Sequence, residues 1–90
     1  MIGAKTWRVD VYIGEDEGRT YAEARLHTEL GDRLSGIGLA QVHPNDRDIP
    51  EIGDELAVAR ALTDLGHRLL VTTSGDIRQV TGDEAVQLTP

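Results

Sequence analysis

Apolar and polar residues alternate strictly in two early segments, and this period of two predicts β-strands. The first segment places four apolar side chains on one face: Trp7, Val9, Val11 and Ile13. The second segment, residues 19–27, alternates in the same way. The polar residues 15–18 between them predict a hairpin with a four-residue loop, in which Val11 lies opposite Ala22.

A third strand is predicted before the proline-rich loop, and the turn that precedes it decides which side chains face the core. An even-length turn places Ile37 and Leu39 on the core face and leaves Gly36 and Gly38 on the outer face. An odd-length turn reverses this, because a shift of one residue flips every side chain of a strand. We favour the even turn because it buries more apolar surface.

The residues after Pro50 follow a helical period, and proline suits the first turn of a helix. On a wheel of 100° per residue, a broad apolar arc has at its centre Ile52, Leu56, Ala59, Gly66 and Leu70, flanked by Val58, Leu62, Leu65 and Leu69. The arc covers roughly half of the circumference. The predicted contacts between sheet and helix therefore include Val11, Leu39, Leu56 and Leu62.

These elements predict an α+β fold with two layers, in which a three-stranded antiparallel sheet is followed by a long C-terminal helix on one face. The chain has 90 residues and is predicted to form a single domain. The predicted elements are strands at about residues 5–14, 19–28 and 33–42, a loop at 43–50, a helix at about 51–73 that continues or restarts to 81, and a tail at 82–90.

Composition and charge narrow the function classes. The absence of cysteine excludes disulfides, thiolate chemistry and Cys-ligated metal sites. No apolar run has the length of a signal peptide or a membrane span, so we expect a soluble, cytoplasmic protein. Sixteen acidic residues against nine basic ones give a net charge of -7, which opposes binding to a phosphate backbone.

Several segments carry a resemblance to a known family: WRVDVYI, GRTYAEARL, GIGLA, HPNDRDIPEIGDELA and ARALTDL. The chain resembles a family of small bacterial proteins of unknown function, and the resemblance covers nearly its whole length. It implies a fold like that of the double-stranded-RNA-binding domain (dsRBD-like), with no established activity or catalytic residues. True RNA binders of this fold present Lys and Arg at the start of the C-terminal helix, whereas this chain has Glu51, Asp54 and Glu55 there.

No group of residues has the spacing of a catalytic, cofactor or metal site. The Gly-x-Gly at residues 36–38 lacks the third glycine of a dinucleotide fingerprint, because position 41 is Gln. The acids near the helix start suit the helix dipole and lack the spacing of an EF-hand loop. The remaining candidates are scattered or lack a nucleophile elbow: His27, His43, His67, Ser35 and Ser74.

The charged residues at the middle of the predicted helix have the spacing of ion pairs on a helix surface. Arg60, Asp64 and Arg68 stand four residues apart and are interpreted as surface ion pairs. We therefore predict no catalytic residue, no cofactor and no metal.

The length of the helix predicts self-association. A helix from residue 51 to 81 would be about 46 Å long, whereas strands of nine residues reach only about 30 Å. We expect a homodimer through the distal helix, at Leu65, Leu69, Ile77 and Val80. The rival surface is the outer face of the sheet, at Tyr12, Tyr21 and Leu34.

The sequence thus favours a non-enzymatic interaction or assembly module. The alternatives are a nucleic-acid-linked binding module, disfavoured by charge, and an undescribed enzyme.

The acidic helix start generates a prediction. Replacing Glu51, Asp54 and Glu55 by lysine should raise the affinity for duplex RNA from negligible to measurable at low salt, because the helix start would then attract phosphate. Gel shifts at low and physiological salt would measure this. Tight binding of duplex RNA by the native chain in physiological salt would contradict the interpretation.

Overall fold

The computed structural model describes residues 3–41 and 50–81. Its elements are three strands and one helix: β1 Arg8–Asp16, β2 Arg19–Thr28, β3 Gly31–Gln41 and α1 Pro50–Thr81. The strands form one antiparallel sheet in the order β1-β2-β3, and α1 packs on one face of it. This architecture confirms the predicted two-layer α+β fold. Most of the predicted loop, and all of the predicted tail, lie outside the described residues.

The hairpin between β1 and β2 has a shorter loop than the alternation predicts. Asp16 pairs with Arg19, so the loop is only Glu17 and Gly18. Both loop residues have positive φ, 50° and 76°, as a two-residue turn matched to the strand twist requires. Val11 consequently lies opposite Ala24, and the predicted register is wrong by two positions. Because side chains repeat every two residues, the error leaves each one on its predicted face.

A β-bulge in β3 overturns the predicted orientation of its glycines. The turn between β2 and β3 has the even length that we favoured, since Thr28 pairs with Gly31. The next pairs, however, skip one residue of β3: His27 pairs with Asp32, and Leu26 pairs with Leu34. One extra residue in a strand reverses the face of everything after it. Gly36 and Gly38 therefore face the helix, while Ile37 and Leu39 face outward.

The glycines of β3 allow helix and strand to meet main chain to main chain. A methyl group on Gly38 would overlap with main-chain atoms of Ala57 and Ala61, and one on Gly36 with those of Ala61 and Leu65. Alanines complete this close contact, which we call the small-residue seam. The buried apolar core is small: Ala22, Ala24, Leu26, Ala40, Ala57, Ala61 and Leu65.

The predicted core residues are wrong for three reasons: the helix is rotated from the predicted phase, the bulge turns Leu39 outward, and the helix hardly covers β1. Val11, Leu39, Leu56 and Leu62 are all exposed, at 38 to 60%. The row that faces the sheet is instead Ala57, Ala61 and Leu65. The prediction assumed that the largest apolar side chains face inward, whereas the glycines of β3 select the smallest. The helix runs without a break through Ser74 and Gly75.

The helix covers only part of the sheet. It contacts β3 most, β2 less and β1 only marginally. The radius of gyration of the Cα atoms is 17.0 Å, compared with about 12 Å expected for a compact domain of this size. A long helix on a narrow sheet accounts for this extended shape.

The small-residue seam predicts opposite effects for two glycine substitutions. Gly38→Ala should destabilise the protein by about 1 to 3 kcal/mol or more, because the added methyl group overlaps with the helix main chain. Gly66→Ala should be neutral or stabilise by up to about 1 kcal/mol, because this exposed helical glycine has open space around its Cα. Urea denaturation would measure both, and equal stability of the two variants would contradict the seam.

Candidate interaction surface

Two helix side chains bond to the main chain along the outer edge of β3. Asp64 Oδ2 accepts a hydrogen bond from the Ile37 N–H at 2.9 Å, and Arg60 Nη1 donates to the Leu39 carbonyl oxygen at 2.6 Å. Arg68 Nε also donates to Asp64 Oδ2 at 2.9 Å and holds the carboxylate in place. Because an open strand edge invites pairing with another chain, these contacts protect β3 from such pairing.

The sequence pattern did not predict this role of Arg60 and Asp64. Their spacing on the helix indicates ion pairs, and the pair between Asp64 and Arg68 is present. The contact with β3 depends on the phase of the helix, which the bulge and the glycines of β3 determine. The contact of Arg60 and Asp64 with β3 can therefore be predicted only when the phase of the helix is known.

The edge of β1 is arranged differently. Main-chain groups along an antiparallel strand point alternately to its two sides. The Ile37 N–H and the Leu39 C=O point away from β2. The strand pairing therefore directs the main-chain groups of the even-numbered β1 residues toward β2, and those of the odd-numbered residues toward the free edge. The N–H and C=O groups of Val9, Val11 and Ile13 thus point away from the sheet. Within the described residues, β1 is the end strand and no helix side chain bonds to this edge.

An uncovered apolar surface lies beside this free edge. The odd side chains of β1 share the sheet face on which α1 packs, yet Val9, Val11 and Ile13 are 41, 38 and 50% exposed. On the helical wheel, Leu62 lies about 160° from Arg60, so it is on the flank of α1 turned toward β1. We call this surface the β1 trough, formed by Trp7, Val9, Val11, Ile13, Val58 and Leu62.

A cavity of about 460 Å³ continues the β1 trough at one end. Its apolar lining includes Trp7, Leu26, Leu30, Leu34 and Leu69. The indole Nε1 of Trp7 donates a hydrogen bond to Glu29 Oε2 at 2.9 Å, which fixes the ring at the cavity wall. The main-chain N–H of Glu29, and then the Trp7 indole, lower the pKa of the Glu29 carboxyl below its usual range.

The predicted self-association surface is only partly available. Leu65 is buried under its own sheet and Leu69 is half-buried against the core. The side chains of Ile77 and Val80 lie outside the described residues. Leu65 therefore serves the fold of the single chain, and Leu69 does so in part.

The rival surface on the outer face of the sheet also changes. Tyr12 and Tyr21 are exposed there, and the Arg25 guanidinium lies 4.7 Å from the centre of the Tyr12 ring. Leu34 instead faces the helix, because it follows the bulge, as Gly36 and Gly38 do, and pairs with Leu26 of the core. Ile37 and Leu39, which were predicted to be buried, take its place on the outer face.

Other candidate groups do not assemble into a recognisable site. Residues 3–41 and 50–81 contain no cluster of three or more His, Asp or Glu side chains arranged to hold a metal ion. His27 Nε2 lies 3.0 Å from Asp10 Oδ2 on the outer face, and His67 lies on the helix beside Arg68. His43 is outside the described residues. Within the described residues, α1 is too polar along its length to serve as a membrane span.

Comparison with known proteins identifies relatives along most of the chain. Residues 5–86 match the family model described as Rv2632c-like. The chain belongs to the Rv2632c-like family. This finding confirms the predicted resemblance to small bacterial proteins of unknown function.

Two relatives and one solved structure illustrate the Rv2632c-like family. The uncharacterized protein Mb1767 of Mycobacterium bovis is 53% identical over 79 residues, which cover 88% of this chain and 83% of the relative. The uncharacterized protein Rv2632c of Mycobacterium tuberculosis is 48% identical over 77 residues, 86% of this chain and 82% of the relative. The crystal structure of Rv2632c matches with a TM-score of 0.81 at 43% identity, over 92% of this chain and 98% of that one.

Asp64 makes the β3 edge of this Rv2632c-like protein sensitive to pH. The Ile37 N–H, and next Arg68, lower the pKa of the Asp64 carboxyl below its usual value near 4. A lowered pKa stabilises the folded state above the unfolded pKa, and this contribution is lost as the pH falls through the folded pKa. Asp64→Asn should therefore flatten the fall in stability below about pH 4.

Urea midpoints between neutral and acidic pH would measure this effect. Glu55→Gln is the matched control, because it removes a carboxylate from the exposed opposite flank of the same helix. A pH profile that Asp64→Asn leaves parallel to the native one would contradict the role of Asp64.

Proposed function

We propose that this Rv2632c-like protein is a cytoplasmic, non-enzymatic assembly module that forms a homodimer through β1. The observation that carries the proposal is the incomplete cover of the sheet: α1 packs over β2 and β3 and leaves the apolar face of β1 in solvent. A broad exposed apolar surface is an aggregation hazard unless a partner covers it. A second copy of the chain is the simplest partner.

The distribution of apolar side chains supports this proposal. Among the described residues, the buried core has two leucines and five alanines, while larger residues such as Trp7, Val9, Val11 and Ile13 are exposed. Burial of apolar area is the main favourable term in folding. A chain that leaves its larger apolar side chains uncovered therefore gains further stability when a partner buries them.

The two edges of the sheet support the same surface. The β3 edge is protected by Arg60 and Asp64. In the part of the chain that the structure describes, the main-chain groups of Val9, Val11 and Ile13 at the β1 edge have no partner strand, and they lie next to the β1 trough. A partner at β1 can thus bury apolar side chains and bond main-chain groups together.

A nucleic-acid-linked role is the second candidate, favoured by the resemblance to the dsRBD-like fold. The order of three antiparallel strands followed by a helix suits that resemblance. Glu51 and Glu55 are exposed at the helix start, however, where the RNA binders of that fold present basic residues. Fold likeness alone is a weak argument for function, so the assembly role is preferred.

Sedimentation of two variants tests the proposed surface. Val11→Glu should convert the native dimer to a monomer, because the charge would be buried in the β1 trough. Leu39→Glu places the same charge on the outer face of the sheet and should remain dimeric. Both positions are exposed in the single chain, so neither variant should impair folding.

Each contrary outcome has a definite meaning. A native chain that sediments as a monomer over the micromolar range removes the assembly proposal. Dissociation by Leu39→Glu, with Val11→Glu still dimeric, moves the interface to the outer face.

A further inference from the structure

We propose that two copies of the chain pair antiparallel along β1, with a two-fold axis at Val11, and so form one continuous six-stranded sheet. The inference rests on the proposed homodimer and adds the geometry of its interface. It follows from three features of β1: its free main-chain groups, the alternation of its side chains and the opposite charges of its two ends.

The free main-chain groups fit a partner strand. Val9, Val11 and Ile13 present their N–H and C=O groups at the open edge, as the pairing of β1 with β2 and of β2 with β3 requires. A second β1 in antiparallel orientation presents the same groups in return, since a two-fold axis relates identical surfaces. In such strand addition, the partner strand forms hydrogen bonds with edge N–H and C=O groups that water otherwise satisfies.

The side chains limit the possible registers. A two-fold pairing matches residues of the same face. The axis therefore lies midway between one residue of β1 and the same residue of the partner. With the axis at Val11, Val9 lies opposite the partner's Ile13. Every pair on the trough face within residues 9–13 is then apolar.

The neighbouring registers are less favourable. An axis at Asp10 places that carboxylate opposite the partner's Asp10, and like charges directly opposite destabilise a sheet. An axis at Tyr12 places Val9 opposite the partner's Glu15, and an axis at Ile13 places Asp10 opposite the partner's Asp16. An axis at Val9 leaves only residues 8–10 of β1 paired.

The charges along β1 are complementary in this orientation. The strand begins with Arg8 and ends with Glu15 and Asp16. With the axis at Val11, Arg8 lies diagonal to the partner's Asp16, within reach of a long side chain. Arg8 Nε pairs with Asp10 at 3.0 Å in the single chain, where its side chain is 70% exposed, so it can turn toward a second acid.

Pairing also joins the two apolar surfaces. The trough faces of the two β1 strands become neighbours in one sheet, and the two copies of Val9, Val11 and Ile13 form a continuous apolar floor. The helices of the two copies lie on the same side of that floor. The proposed dimer therefore packs these side chains against their copies in the partner, in one groove between the helices.

Introduced cysteines test this geometry directly, because the native chain has none. Residues at a two-fold antiparallel pair have Cα atoms about 5.5 Å or less apart, within the range that a disulfide spans. Val11→Cys should form a covalent dimer on mild oxidation roughly ten times faster than Tyr12→Cys or Leu39→Cys. Rates would be measured by non-reducing electrophoresis at equal protein concentration.

A mixture of two variants gives a second, independent measurement should Val11→Cys fold poorly. Val9→Cys and Ile13→Cys, allowed to exchange subunits, should cross-link with each other faster than either does alone. This outcome supports the axis at Val11.

The outcomes separate the geometry from the assembly proposal. Faster cross-linking at Tyr12 or Leu39, in a chain that sediments as a dimer, overturns pairing about Val11 and leaves the homodimer intact. A native monomer overturns both.

Discussion

Where α1 crosses β3, helix and strand meet main chain to main chain, because Gly36 and Gly38 have no side chains to separate them. Ala57 and Ala61 occupy the helix side of this contact and are fully buried. Such closeness holds the helix over β3 and its neighbour β2, so that it contacts β1 only marginally. The exposure of the apolar side chains of β1 follows from this contact.

The alternation of apolar residues predicted the strands, and the 3.6-residue period predicted the helix, because both patterns are local. The phase of the helix was wrong because it depends on one extra residue in β3, between the partners of Leu26 and His27. No local pattern marks such a bulge. Large apolar side chains were expected inside, yet the glycines beyond the bulge bring the helix main chain so close that alanines occupy positions 57 and 61.

The candidate surface could be predicted in part for the same reason. Val9, Val11 and Ile13 were correctly placed on one face of a strand, because a register error of two residues leaves each side chain on the same face. Trp7 lies just before β1. The exposure of these side chains could not be predicted, since it depends on where the helix lies across the sheet. The roles of Arg60 and Asp64 at the β3 edge are likewise set by tertiary structure. One edge of the sheet is thereby protected, and β1 is left as the side at which the sheet can grow.

The small-residue seam also has a consequence for the thermodynamics of the chain. The heat capacity increment of unfolding grows with the apolar area that unfolding exposes. The buried core of the described residues, five alanines and two leucines, hides little such area, and its contribution to the increment is correspondingly small. A small increment gives a shallow dependence of the folding free energy on temperature. Strong curvature, with a marked loss of stability on cooling, would require further apolar area to be covered, as the proposed second copy would cover it.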